Sequence, residues 1–508
     1  MSVQKAIKEV VKFGYQVEPD ALKLLQEALT SGRLGNAGNS PESVVKTVMD
    51  EKAKSGSGKS ISINDLKKAL PELFDFGDLE PKSSLPVSEP AIASEDIQIV
   101  EDASHEVEPT GVEGFPQLFK SRYEKLVRIL MERPEGRRLT KISKMEGEKG
   151  SVRIAGLVFS KRPTKTGAVE FSIDDDSGSA SVLALGAEVK KAVGEVALDQ
   201  CVMVEGDIVQ GRLIAKNVVQ PDVPSKSGST SKKTAYAVFL SDLHIGSNKF
   251  LDGAFSRFLD WLGGNGVSPE DEEIIRRLKY IVIGGDVVDG VGVFPNQEYE
   301  LSELDVFKQY ELVSRKLSLV PKHLQMLVIP GNHDATRQAL PQPMIPEKYA
   351  KSLYGLPNVK MFGDPCLFKL HGVSILAYHG RSLDDVLATT PGLSYEKPQQ
   401  AMKVLLRARH LAPIFGMRTP IAPEVEDHLV ISEVPDIFHC GHVHTIGEER
   451  YKSTLMINSG TWQGQTGYQT NLGISPTPGV VPIVNLATLD VVWKGFLTSS
   501  ATSLTVAG

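Results

Sequence analysis

"HCGHVHT", residues 439–445, closes the apolar run Val434-Pro435-Asp436-Ile437-Phe438. Three histidines stand where a buried strand should end, and Gly441 precedes two of them. His442 and His444 are two apart. On an extended chain, residues i and i+2 face the same side, so both imidazoles reach one small volume. A surface turn with incidental histidines would carry the same letters. The choice depends on whether other strands deliver matching residues to the same place.

Four other apolar runs end in the same way. "AYAVFL" leads into "SDLHIGS" with Asp242 and His244. "YIVI" leads into "GGDVVDG" with Asp286 and Asp289. "QMLVIP" leads into "GNHD" with Asn332, His333 and Asp334, and "VSILAY" into "HGRS" with His379. Strands separated by helical stretches imply βαβ units and a layered sheet. Ligands of such sheets collect in the loops beyond the strand carboxyl ends. Glycines at 246, 284, 285, 290, 331, 380 and 441 permit tight turns there. Taken singly, "GNHD" could be a turn whose Asn and Asp bond their own backbone. Five such endings in succession point instead to one shared metal site.

The order D-x-H, G-D-x-x-D, G-N-H, H and G-H-x-H, over about residues 235–465, resembles the calcineurin-like metallophosphoesterase superfamily. The resemblance implies an α/β fold, a four-layer αββα phosphoesterase sandwich, holding two divalent metal ions. It assigns Asp242, His244, Asp286 and His444 to one ion. It assigns Asp286, Asn332, His379 and His442 to the other, with Asp286 bridging. His333 would be catalytic, facing the scissile phosphate without binding metal. Two cations about 3.5–4 Å apart can clamp a phosphate oxygen and activate water. Mixed nitrogen and oxygen ligands suit Mn, Fe, Zn or Ni better than Mg, and Mn²⁺ is the ion expected from the superfamily's nucleases.

The rest of the chain is consistent with this chemistry. Its 508 residues suggest about three domains, and 41% hydrophobic content supplies ordinary globular cores. Cys201, Cys366 and Cys440 are too far apart for a disulfide framework or a C-x-x-C zinc site, which fits a reducing cytosol. No apolar stretch approaches the roughly 20 residues of a membrane span, and the start reads as no secretory signal. A net charge of −7 argues against indiscriminate coating of nucleic acid, but not against a local basic groove or a metal-mediated phosphate site.

Residues 1–75 read as a small helical module for contact with a partner, with Leu22, Leu25 and Leu29 at helical spacing and a capping pattern at Ser62 and Asp65. Residues 76–113, rich in Pro, Ser and acid, read as a disordered linker. Residues 114–223 read as a helix with Phe119, Tyr123, Leu126 and Leu130 on one face and Arg122, Lys125 and Arg128 elsewhere, followed by an OB-fold β-barrel. The basic turn Lys161-Arg162-Pro163-Thr164-Lys165 could touch a phosphate backbone. It could equally be a solvated turn on a protein-docking barrel, since the strands show few exposed aromatics for stacking bases. A Gly/Ser/Lys linker at 224–234 leads to the phosphoesterase domain, 235–508.

This architecture, with "SDLHIGS", "GGDVVDG", "PGNHD", "YHGRS" beside Asp384-Asp385, and "CGHVHT", resembles the small subunits of archaeal family D DNA polymerases. That resemblance spans about residues 115–480 and, weakly, the N terminus. It implies a 3′–5′ proofreading exonuclease bound to a large polymerase subunit and acting on a DNA primer 3′ end. The N-terminal module is a candidate contact for a sliding clamp or primase, and the expected location is the cytoplasm, at the nucleoid. Arg381, Lys161 and Arg162 are candidate substrate contacts. Two other readings stand beside it: a non-catalytic scaffold subunit that keeps its ligands, and a stand-alone metallophosphatase. The arginine that serine/threonine phosphatases carry after the second aspartate of G-D-x-x-D is missing after Asp289, which weakens the phosphatase reading.

Overall fold

The computed structural model describes residues 96–103, 111–133, 138–148, 150–225, 228–265, 267–471, 473–498 and 502–504, with short pieces at 16–17, 49–50 and 60–61. The helical module expected over 1–75 lies almost wholly outside the described residues. One pairing is described there: β1 (Gln16–Val17) runs parallel to β2 (Ser60–Ile61), which the helical reading does not include. The disordered linker expected over 76–113 is corrected in part. Within it β3 (Ile97–Asp102) pairs antiparallel with residues 366–370. Its partner edge lies far along the chain, where a reading of local composition cannot see it.

Helix α1 (Phe115–Met131) begins with Pro116 in its first turn, where a missing N–H costs nothing. Leu118, Leu126 and Leu130 are buried, and so is Arg122, which the sequence reading set away from the apolar face. A closed barrel follows: β4 (Ser151–Pro163), β5 (Val169–Asp175), β6 (Gly178–Ala184), β7 (Cys201–Val209) and β8 (Arg212–Val219), ordered β4-β5-β6-β8-β7. The short helix α2 (Ala187–Gly194) links β6 to β7. Ile154, Phe171, Ile173, Val182, Val204 and Leu213 fill its interior.

Two sheets form the larger part. In the first, β9 (Tyr236–Leu240), β10 (Leu278–Gly284), β11 (Gln325–Ile329) and β12 (Val359–Met361) run parallel. In the second, β13 (Cys366–Leu370), β14 (Val373–Ala377), β15 (Ile437–Cys440), β17 (Thr454–Ser459) and β16 (Ile446–Tyr451) extend from β3. The chain then returns to the first sheet as β18 (Val480–Asn485), β19 (Val491–Gly495) and β20 (Thr502–Leu504).

Side-chain alternation explains why these strands carry apolar residues on both faces. Val238 and Leu240 on β9, Ile281 and Ile283 on β10, and Met326 and Val328 on β11 face helices α3 (Asp252–Leu262), α4 (Pro269–Arg277), α5 (Val306–Leu317) and α6 (Glu347–Tyr354). The intervening Ala237, Phe239, Tyr280, Val282, Leu327 and Ile329 meet Phe368, Ile375, Ala377, Ile437 and Ile457 of the second sheet. On that sheet's far side, Leu376, Phe438 and Met456 pack against α7 (Leu383–Thr389) and α8 (Pro398–Ala408). The layers are therefore α, β, β, α, the sandwich the motif order implied. A one-residue slip would exchange the two faces of a strand, so both cores fix its register. Among the described residues, no helix is long and apolar enough to cross a membrane.

Arg122 joins the first part to the second. Its Nε donates to Asp427 Oδ2 at 2.7 Å and its Nη1 to the Pro413 carbonyl at 2.9 Å. His410 Nε2 lies 3.0 Å from the same Asp427 oxygen. One turn on, Leu126 and Leu130 pack with Ala155, Cys201 and Met203 of the barrel and with Val430. Burial alone would raise the Asp427 carboxyl, but His410 and Arg122 outweigh it and hold it below the usual carboxylate range. Burial, helped by Arg122, pushes the His410 imidazole down to about 4. Above that pH, Arg122 is the standing counter-charge of Asp427.

Two consequences can be measured. Arg122→Met strands a buried carboxylate and should cost about 3–5 kcal/mol, read as a lower urea midpoint at pH 7. An unchanged midpoint would contradict the pairing. His410 stays neutral in the folded protein to about pH 4, whereas the unfolded chain takes up its proton near about 6.5. Between those values the unfolded state binds more protons, so stability falls as pH falls, by up to about 1.4 kcal/mol per unit. The Asp427 contribution persists to lower pH and is lost only below about 3.9. His410→Asn should flatten the slope between pH values of roughly 6.5 and 4; equal slopes in the two proteins would rule His410 out as its source.

Candidate metal centre

The carboxyl ends of both sheets meet at one point. β9 delivers Asp242 and His244, β10 Asp286 and Asp289, and β11 Asn332 and His333, while β14 and β15 of the other sheet deliver His379, His442 and His444. Asp242, His244, Asp286, His442 and His444 all hold positive φ, between 50° and 70°. That backbone region costs a non-glycine residue roughly 1–2 kcal/mol. Its concentration here marks loops bent to aim side chains inward. Two glycines let the loops approach. A Cβ on Gly331 would stand 2.2 Å from Asp286 Oδ1, and one on Gly441 would stand 2.4 Å from Asp242 Oδ2.

Each carboxylate divides its oxygens. Asp242 Oδ2 accepts from the His442 amide at 2.8 Å, while Oδ1 is buried without a hydrogen-bond donor. Asp286 Oδ1 accepts from the His333 amide at 2.8 Å, and Oδ2 lies 3.3 Å from His379 Nε2 and 3.8 Å from His244 Nε2. His444 Nε2 is 3.2 Å from Asp242 Oδ1 and 3.0 Å from His244 Nε2. Asn332 Oδ1 is 3.1 Å from His379 Nε2.

These contacts fit a divalent cation. Facing ring nitrogens at such a distance repel unless a proton or a cation stands between them. The spacing is that of neighbouring ligands on one ion with bonds of roughly 2.1 Å. Asp242, whose Oδ1 takes no hydrogen bond, belongs to the same cluster, together with Asp286 and His379. The electrostatics agree. Burial opposes a charge on His379, yet Asp286 and Asp242 push its imidazole up to about 10, so the cluster draws positive charge to itself.

The ring nitrogens turned away from the cluster are held from outside, which fixes each ring. His244 Nδ1 is 2.9 Å from Asp289 Oδ1, and His379 Nδ1 is 2.8 Å from the Gly284 carbonyl. His442 Nε2 is 3.2 Å from Asp384 Oδ2, leaving Nδ1 as the nitrogen available to an ion. His444 Nδ1 is 2.7 Å from Gln469 Nε2, on the short helix α9 (Gly467–Asn471). Sequence reading noticed Asp289 and Asp384 without giving them a role. It missed Gln469, which no motif signals.

His333 lies close enough to His244 and Asp286 to make a third group able to hold an ion, but it is not grouped with Asp242. Its Nδ1 donates to the Asp289 carbonyl at 2.7 Å, leaving Nε2 without that bond. The ring lines a cavity of about 310 Å³ that also exposes His244, Asp286, Asn332, His442 and His444. Arg381 lines the same cavity, with its Nη1 bonded to the Gln338 carbonyl at 2.7 Å. Lys161 and Arg162 do not line it. Lys161 Nζ bonds the Val193 and Val196 carbonyls at the end of α2, and Arg162 pairs with Glu170 at 2.7 Å. Lys161 is thereby tied to the barrel, while the Arg162 side chain stays largely exposed.

Comparison with known proteins gives this geometry a lineage. Residues 237–446 match the DNA polymerase alpha/epsilon B-subunit family. The chain is 39% identical to the DNA polymerase II small subunit of Methanothermobacter thermautotrophicus over 85% of its own length and 90% of that protein. It is 36% identical to the one from Archaeoglobus fulgidus over 94% of both. Against the Pyrococcus furiosus protein it is 44% identical but spans only 63% of that relative's length. Among solved structures, zinc-bound Vps29 from Entamoeba histolytica is similar over 53% of this chain and 98% of its own, with 13% identity and a TM-score of 0.29. With relatives matched at these identities over nearly their whole length, the chain belongs to the family of archaeal family D (polymerase II) DNA polymerase small subunits.

Proposed function

We propose that this chain is the nuclease of its polymerase, a two-metal 3′–5′ proofreading exonuclease that works beside a separate large polymerase subunit. The observation that carries the reading is the complete donor set, Asp242, His244, Asp286, Asn332, His379, His442 and His444, gathered beside an accessible His333. A non-catalytic scaffold would have no need to hold five residues of three strained loops around buried carboxylates. Asp242, His244, Asp286 and His444 would hold one cation and Asp286, Asn332, His379 and His442 the other, with Mn²⁺ as the expected ion. Bound there, divalent cations supply Lewis-acid stabilisation of the phosphoryl oxygens and an activated water.

The chain's own residues do the rest. Asp286 offers Oδ2 to both groups of donors while the His333 amide holds its Oδ1. With Nδ1–H committed to the Asp289 carbonyl, neutral His333 presents Nε2 as an acceptor. Once protonated, it can stabilise the charge of the transition state or give a proton to the departing 3′-oxygen. The barrel, proposed to be an OB-fold, and the outer helices of the sandwich would form the permanent interface with the large subunit, an area of over about 2,000 Å². The complex would work in the cytoplasm, at the nucleoid.

Metal counting on purified variants tests the bridge. Asp286→Asn should lower the affinity of both ions, whereas His244→Ala and His379→Ala should each weaken mainly one. Two Mn²⁺ ions held by Asp286→Asn at wild-type affinity would show the bridging role to be wrong.

His333→Ala should keep its metal and slow single-turnover cleavage of a mismatched DNA end by roughly 10²–10⁴-fold. Metal content is measured on the same preparation. Cleavage restored simply by excess Mn²⁺ would mean that His333 only orients Asn332. Wild-type protein that binds metal and cleaves neither paired nor mismatched ends would leave the scaffold reading. Hydrolysis of p-nitrophenyl phosphate far above that of DNA would favour the phosphatase.

A further inference from the structure

The cavity wall carries two large side chains that the metal chemistry does not use. Arg418 and Tyr468 both line it. Among the described residues neither side chain has a hydrogen-bond or ion-pair partner. Tyr468 is 59% exposed although it lines the cavity.

Both are nevertheless held from behind. The Asp385 carboxylate is buried and accepts the backbone amides of Arg418 and Thr419, each at 3.0 Å. This fixes the loop and leaves the guanidinium without a hydrogen bond, near enough to Asp384 to help hold that carboxyl below its ordinary value. Arg381, by contrast, has its Nη1 committed to Gln338. Tyr468 sits on α9, whose next residue, Gln469, is buried and bonded to His444 and to the Thr466 amide. Gln469 thus anchors the helix to a metal-cluster histidine, and its neighbour is presented to the cavity. A pre-positioned cation and a free aromatic face beside a phosphoester site form the pair of contacts that a nucleic-acid strand needs.

We propose that Arg418 and Tyr468 hold the strand whose end enters the metal centre, Arg418 on a backbone phosphate and Tyr468 stacked on a base. The proposal deepens the nuclease reading and rests on it for the identity of the ligand. The residues act by positioning and take no part in bond breaking.

The test is equilibrium binding, which needs no turnover. Full-length protein in EDTA is titrated against a fluorescent oligothymidylate of about 12 nucleotides at several salt concentrations. Arg418→Ala should weaken binding about tenfold and reduce the salt slope by about one phosphate contact. Tyr468→Ala should weaken it about tenfold with the salt slope unchanged, and Tyr468→Phe, which keeps the ring, should restore it. Thermal unfolding of each variant checks that the fold is intact. Wild-type affinity in both alanine variants overturns the proposal, as does a wild-type protein that binds no oligonucleotide. A Phe variant as weak as the Ala variant overturns the stacking role. Equal displacement by thymidine monophosphate would assign the wall to a free nucleotide and overturn the strand. Wild-type binding with both variants impaired, but no cleavage when Mn²⁺ is added, would uphold these contacts and remove only the nuclease reading.

Discussion

The burial of Asp242 and Asp286 in one small volume is the constraint on which the rest of the structure depends. A carboxylate removed from water must be paired or bound to a cation. Here each is half satisfied by a backbone amide, from His442 and from His333. The second oxygens turn toward imidazoles rather than toward arginine or lysine. Imidazole is weakly basic and, when neutral, a good ligand, so the cluster is suited to holding a metal in place of a permanent internal counter-charge. The same demand accounts for the bent loops. Side chains that arrive from five strands in two sheets converge only if the backbone leaves the usual regions, as it does at five of the seven proposed ligands.

The opening heptapeptide shows how position decides what a histidine does. His439 lies inside β15, fully buried, with Nε2 2.9 Å from Ser459 Oγ and its ring against Phe239. Burial pushes its imidazole down to about 3, so it is a neutral packing residue between the sheets. His442 and His444, beyond the strand end, are free of the ladder and reach the cluster. Their left-handed backbone, rather than the strand's period of two, turns both toward the cluster.

Helix α1 and the barrel depend on a different kind of burial. Arg122 reaches Asp427 because the helix is covered on two sides, by the barrel and by the 410–430 segment. Such a pair adds orientation more than net stability, since desolvation offsets most of its attraction. It fixes how the barrel sits on the sandwich, together with the Arg407–Glu195 pair at 2.7 Å and the Asp199 contact to the Phe415 amide at 2.9 Å.

By itself the sequence determined the alternation of strands and helices and the proposed ligands at the strand ends, and the layered sandwich through the resemblance its motifs carry. Apolar strands covered on both faces, each ending in Asp, Asn or His, are local patterns that tertiary context does not rewrite. The residues that steady those ligands were less legible. Asp289 and Asp384 were visible only as nearby acids, and Gln469 carries no signal, because a hydrogen bond to an imidazole leaves no periodicity in the chain. Tertiary structure alone decided that Lys161 bonds carbonyls of the barrel, that Arg122 is buried on a helix whose charges read as outward, and that Ile97–Asp102 is an edge strand. Each of those outcomes depends on a partner distant in sequence or on a competing local acceptor, and only packing brings the members together.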